Sequence, residues 1–343
     1  MKDKIQKQNI EMNSINKTRD SNIELLRIIA MILIIIHHMV YHTKIYLCGG
    51  ENHFISLIML TGGKIGVIIY ILIMGYYSRE SKFNIKRPIN IVIKTIIYST
   101  VFIIIFNDKP HDIKEYTQYW FINTWLILLF CTPIILRFEK EASKKTKIIL
   151  FICLTIIFIL PFRRKTDIEG FIYFYLCGRH ILPYFVKIFD KPILNILSIS
   201  TLYLFIIAFG LEMEQNTIIP LVTAMFIFAI FINLKIKSNV INKIAKYTIG
   251  VYLIHDNVNV RNEIIVKRLN MFNIYKSKYF FISTLSMSIV IFIICTIIDY
   301  LVSLIIEKII FKNKKINEGI AEINLYVNNF ANNERNKNES NNK

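Results

Sequence analysis

The chain has 343 residues, 54% of them hydrophobic and 19% charged, and its 42 Lys and Arg against 24 Asp and Glu give a formal net charge of +18. Soluble domains carry about 45–50% apolar and about 25% charged residues, which argues against a soluble enzyme. The basic residues lie between apolar blocks rather than along one groove, which argues against a nucleic-acid binder.

Residues 1–22 are polar and lack the short apolar core and small-residue cleavage site of a secretory signal, so the first apolar stretch reads as a retained anchor. Ten apolar stretches then follow, at about 23–43, 54–77, 88–106, 119–137, 147–161, 169–188, 193–211, 217–234, 247–265 and 281–306. The expected fold is all-α, a polytopic integral membrane helical bundle of about ten transmembrane helices over residues 23–306. The tail at 307–343 is rich in Asn, Lys and Glu, and we expect it to be disordered and cytoplasmic. With the amino terminus inside, 28 of the 42 Lys and Arg fall in inner segments, 11 in outer segments, and Arg27, Lys64 and Arg179 within spans. That split places both termini in the cytoplasm. The five cysteines, Cys48, Cys131, Cys153, Cys177 and Cys295, are odd in number and never two or three residues apart, so no disulfide framework and no metal site is expected.

A charged side chain within a span costs about 2.5–3.5 kcal/mol on insertion scales, so the polar residues of the first span carry functional weight. Glu24 and Arg27 are three residues apart and can pair on one helix face. Eleven steps of about 100° bring His38 to within roughly 20° of Arg27, with a rise of about 16 Å. His37 is turned off that stripe by about 80°, and His42 lies a turn above His38, at the interface. An arginine at the inner boundary and a histidine deeper on the same stripe describe a path, and a neutral imidazole there is able to accept a proton. Arg179, in Leu176-Cys177-Gly178-Arg179-His180, reads as a structural charge.

Ile23-Glu24-Leu25-Leu26-Arg27-Ile28-Ile29-Ala30 followed by His37-His38 resembles the first span of the acyltransferase 3 family of integral membrane O-acyltransferases, whose signature is an arginine, ten residues and a histidine. The Gly63-Lys64-Ile65-Gly66 segment running to Met74-Gly75-Tyr76-Tyr77 is similar to the family's second span. Trp120-Phe121 with Trp125 and Pro133 is similar to a middle span, and Tyr247-Thr248-Ile249-Gly250-Val251-Tyr252-Leu253-Ile254-His255 to the penultimate one. The four stand in order over about residues 20–306. Many members carry two arginines three apart after the second span; this chain has Arg79, Lys82, Lys86, Arg87 and Lys94 there instead.

The resemblance implies transfer of an acyl group, usually acetyl from cytoplasmic acetyl-CoA, to a hydroxyl of a surface glycan or lipid-linked saccharide at the cell membrane. His38 would be the general base or the carrier of the acyl group, with Arg27 held by Glu24. Arg79, Lys82, Lys86 and Arg87 would receive the phosphates of coenzyme A. His255 would bind the acceptor, and Trp120, more often a belt residue, would offer a face to a sugar ring. Two other readings stand beside this one: an exporter or flippase of lipid-linked saccharides without acyl-transfer chemistry, which needs no coenzyme A site, and a scaffold for a polysaccharide synthase, for which His38 is dispensable.

Overall fold

The computed structural model describes residues 20–79, 82–106, 119–159, 167–209 and 217–332, and among these every regular element is helical. Most of the expected amino-terminal segment, the tail after residue 332, and the loop charges Lys109, Lys114, Arg163, Arg164 and Lys165 lie outside the described residues.

Two long helices form the centre. Helix α1 (Ser21–His42) and helix α2 (His53–Tyr77) run antiparallel. Their close approach depends on missing side chains: a Cβ at Gly63 would run into His37, and one at Gly66 would sit 2.7 Å from the Ala30 carbonyl oxygen. Small residues of this kind let helix backbones pack tightly where lipid supplies no hydrophobic drive between helices. At one end the pair is tied by the Tyr77 hydroxyl, which donates to Asp20 Oδ2 at 2.6 Å, and by the Tyr70 hydroxyl, which donates to the Arg27 carbonyl at 3.1 Å.

Around this centre stand α3 (Lys86–Ile105), α4 (Trp120–Glu141), α5 (Lys144–Ile159) and α6 (Asp167–Leu176). Helix α6 continues through a π-helical turn, Cys177–Ile181, into α7 (Leu182–Ile188). Then come α8 (Pro192–Phe209), α9 (Ile218–Ile232), α10 (Asn239–Ile244) and α11 (Thr248–His255). The short α12 (Met271–Tyr275) leads to α13 (Phe280–Ile306) and finally α14 (Lys314–Asn332). Among the described residues, five helices are long and apolar enough to cross a membrane: α1, α2, α3, α4 and α13 with its extension to Phe311. Two shorter apolar helices cover Pro192–Leu202 and Ile218–Ile232. Helix α13 presents Ile282, Ile289, Ile293, Ile297 and Leu301 outward, an apolar stripe suited to lipid. The molecule is a helical membrane protein.

Two expectations are corrected. The ninth predicted span, 247–265, is not one helix. It stops at His255 after eight residues, which rise only about 12 Å, and resumes as short helical turns over 258–266. Asn257 makes the break, with an extended backbone (φ −58°, ψ 133°) and a side-chain oxygen that accepts from the Asn259 N–H at 3.0 Å, a local bond that competes with the helical ladder.

The tail expected to be disordered from residue 307 is helical over Lys314–Asn332. Its average composition is polar, but Ile316, Ile320, Ile323, Val327 and Ala331 recur every three or four residues and make an apolar face. Ile320 packs in a small cluster with Ile306, Phe311, Ile85 and Ile89. Asn328 pairs with both backbone groups of Phe83 at 2.9 Å, and Asn324 Oδ1 accepts from the Ile85 N–H at 2.7 Å. The amides thus anchor the helix on the 83–85 segment.

Candidate active site

Helix α1 carries polar groups at both of its ends. Near its start Arg27 Nη1 donates to both oxygens of Glu24, at 2.9 and 3.0 Å. Eleven residues further, His38 is buried between α1 and α11. Its neighbour His37 points to α2, where Nδ1 pairs with the Leu60 carbonyl and the ring covers Gly63. The two adjacent histidines therefore have different surroundings: His37 is taken up by the packing of two helices, and His38 meets polar side chains.

Those side chains come from the helix break. His255, the last residue of α11, places Nδ1 2.7 Å from the Val251 carbonyl oxygen and Nε2 3.0 Å from His38 Nδ1. A carbonyl only accepts, so the proton of the neutral His255 ring sits on Nδ1 and its Nε2 is a lone pair. His38 Nδ1 must then be the donor, which leaves the lone pair of His38 on Nε2. This tautomer is assigned from the hydrogen-bond chain.

Asp256, the first residue of the break, brings Oδ1 to 3.4 Å from His38 Nδ1 and 3.7 Å from His42 Nε2. Arg261 Nη1 approaches the same oxygen at 3.4 Å. Asp256 and His255 are almost fully buried. Asn257 is fixed by α4, since its Nδ2 donates at 2.9 Å to the Tyr119 hydroxyl, which in turn donates to the Leu253 carbonyl at 2.9 Å. Tyr252 stands with its ring 6.1 Å from that of His38 and 5.8 Å from that of His255. Its hydroxyl is buried beside the Asp256 carboxylate. The set contains a histidine with a lone pair, a carboxylate beside its opposite nitrogen and a hydroxyl donor, which suffices for general-base chemistry.

His38, His42 and Asp256 also form a group whose ligand atoms all lie within 4.8 Å of one another, so the three can hold a metal ion.

The other candidates are distributed as follows. Glu24 and Arg27 pair at the opposite end of α1 from His38. Arg79, Lys82 and Arg87 are exposed at the α2–α3 connection, and Lys86 reaches Glu307 at 3.0 Å. This connection is at the Arg27 end, because the Tyr77–Asp20 bond joins the end of α2 to the start of α1. Trp120 opens α4, partly exposed, with its ring 6.2 Å from those of Phe121 and Phe171. Phe121 is 5.1 Å from Tyr252, so one ring separates Trp120 from the site. Arg179 pairs with Glu139 at 2.7 Å and donates to Ser78 at 3.0 Å.

Asp256, Tyr252 and Asn257 were not among the candidates read from the sequence, although Asp256 directly follows His255. A second polar group was missed altogether. Lys94 Nζ and the Tyr98 hydroxyl both bond Asp299, at 2.7 and 2.6 Å, in the interior between α3 and α13. A Cβ at Gly250 would collide with the Asp299 carboxylate, so α11 packs against this group. The available signal was Asp299 itself, an acid inside an apolar stretch.

A family model described as an acyltransferase domain matches residues 20–308. No curated protein and no solved structure matches the chain.

Proposed function

Because the chain belongs to the acyltransferase 3 family, and so is a membrane acyltransferase, we propose that it moves an acetyl group from cytoplasmic acetyl-CoA to a hydroxyl of a cell-surface or lipid-linked glycan at the cell membrane. The observation that carries this reading is the hydrogen-bond chain from the Val251 carbonyl through His255 to His38, which assigns the lone pair to His38 Nε2.

In the proposed step His38 Nε2 takes the proton of the acceptor hydroxyl as its oxygen bonds to the acyl carbon. The thioester C–S bond then breaks, and the thiolate of coenzyme A leaves with the proton returned by His38 Nε2–H, which restores the neutral ring. Asp256, 3.4 Å from His38 Nδ1, faces the positive charge that the ring gains. The Tyr252 hydroxyl, near both His38 and His255, would donate to the oxyanion that develops on the acyl group.

Coenzyme A would enter from the Arg27 end, its phosphates against Arg79, Lys82, Lys86 and Arg87. Arg27 and His38 are about 16 Å apart along α1, a gap that the extended pantetheine arm is suited to span. The acceptor would approach from the His42 end, near His255, with a sugar ring against Trp120.

The test is acetyl transfer from labelled acetyl-CoA by the purified protein reconstituted with membrane glycan. His38→Ala should lower the rate by about 10²-fold or more while accumulating in the membrane, and His37→Ala should keep much of the activity. Normal acetylation by His38→Ala would overturn the mechanism. Failure of glycan export in that variant, with no acetyl transfer by the wild type, would put the exporter in its place.

A further inference from the structure

The geometry points to a regulatory site for one zinc ion, formed by His38, His42 and Asp256, in which the metal switches off the histidine that serves as base. Three observations lead there. The ligand atoms of the three residues lie within 4.8 Å of one another, and Asp256 Oδ1 is 3.4 Å from His38 Nδ1 and 3.7 Å from His42 Nε2. Zinc binds imidazole nitrogen and carboxylate oxygen at about 2.0–2.2 Å in a tetrahedron, so its donors stand roughly 3.3 Å apart. The set therefore has near the spacing of three corners of such a site, and only His42 needs to close in.

The residue types also suit zinc over magnesium or calcium, since two imidazoles and one carboxylate are a borderline-soft set. Water fills the fourth corner. Finally, His42 is partly exposed while His38 and Asp256 are buried, so the ion has a way in from the aqueous face and a dry place to stay.

The coupling to catalysis follows from the tautomer. Zinc can bind His38 Nδ1 only as a lone pair, so the Nδ1 proton must move to Nε2, the atom that takes the hydroxyl proton in the proposed reaction. No proton is released from His38 in this exchange; one N–H is replaced by another, and the hydrogen bond from His38 Nδ1 to His255 Nε2 gives way to a coordination bond. Bound zinc thus removes the base without covalent change. The inhibition rests on His38 acting as the base, whereas the metal site itself does not.

Arg261 opposes the ion, because its guanidinium shares Asp256 Oδ1 at 3.4 Å. This gives two substitutions with opposite expected effects.

The experiment titrates EDTA-stripped, purified full-length protein with zinc chloride, counts bound metal by atomic spectroscopy, and reads geometry from the absorption of cobalt(II) in the same site. The wild type should bind one zinc per chain, with cobalt giving a tetrahedral spectrum. His42→Ala should weaken zinc by more than about tenfold, His42→Cys should restore it, and Arg261→Ala should tighten it. Acetyl transfer by the wild type should fall with zinc, recover with EDTA, and be insensitive to the same concentration in His42→Ala. Absence of saturable zinc, or equal affinity in the wild type and His42→Ala, would overturn the site. Zinc bound through His42 to a protein that transfers no acetyl group would keep the metal site and sink the acetyltransferase reading instead.

Discussion

At the scale of single residues, the difference between two adjacent histidines is decided by their partners. His37 is consumed by the α1–α2 packing, its ring over Gly63 and its Nδ1 on the Leu60 carbonyl, whereas His38 faces His255 and Asp256. Asp256 is then the residue whose charge matters most to the proposed step. Asp256→Asn keeps the shape of the side chain beside His38 Nδ1 but removes the negative charge that faces the imidazolium. We expect kcat to fall on the order of 10²–10⁴-fold, with the KM for acetyl-CoA changed little. Steady-state kinetics on the reconstituted protein check this, and an Asp256→Asn enzyme with wild-type kcat would remove Asp256 from the mechanism.

Among the helices, α11 depends on a group that the chemistry does not use. Lys94 from α3 and Asp299 from α13 form a buried ion pair with Tyr98 as a third member, and Gly250 of α11 lies directly on the Asp299 carboxylate. A buried pair of this kind adds little net stability compared with well-packed apolar residues, but removing one partner leaves an uncompensated charge that costs about 3–5 kcal/mol. Asp299→Ala should therefore lower the unfolding temperature in detergent markedly, and the double variant Asp299→Leu with Lys94→Met should recover part of the loss. A single variant that melts like the wild type would show that the pair does not hold these helices. Since α11 ends in His255, the same loosening should reach the site and lower activity.

For the molecule as a whole, the topology is the proposal to test. The Lys and Arg split of 28 to 11 argues for both termini in the cytoplasm, and among the described residues five helices are individually long and apolar enough to cross a membrane. Reporter fusions after Lys343 and beside Lys44 should give cytoplasmic and extracytoplasmic signals respectively, and an extracytoplasmic carboxyl terminus would overturn the ten-span arrangement.

Features set by local geometry were legible in the amino-acid order. The apolar blocks define a helical membrane protein, three-residue spacing is enough for the Glu24–Arg27 pair, and the helical repeat alone puts Arg27 and His38 on one stripe. Features that join distant parts of the chain were not. His255 lies 217 residues from His38, and Asp299 lies 205 from Lys94. Averaging over 247–265 passes over the polar positions His255, Asp256, Asn257, Asn259, Arg261, Asn262 and Glu263 because apolar residues flank them, yet Asn257 ends the helix and Asp256 turns toward α1. For the same reason the polar tail concealed α14, whose apolar face is narrow and whose Asn324 and Asn328 find their partners only on the 83–85 segment. Periodicity records which residues share a helix face; which faces meet depends on packing between helices, and packing assembled the His38, His255 and Asp256 site.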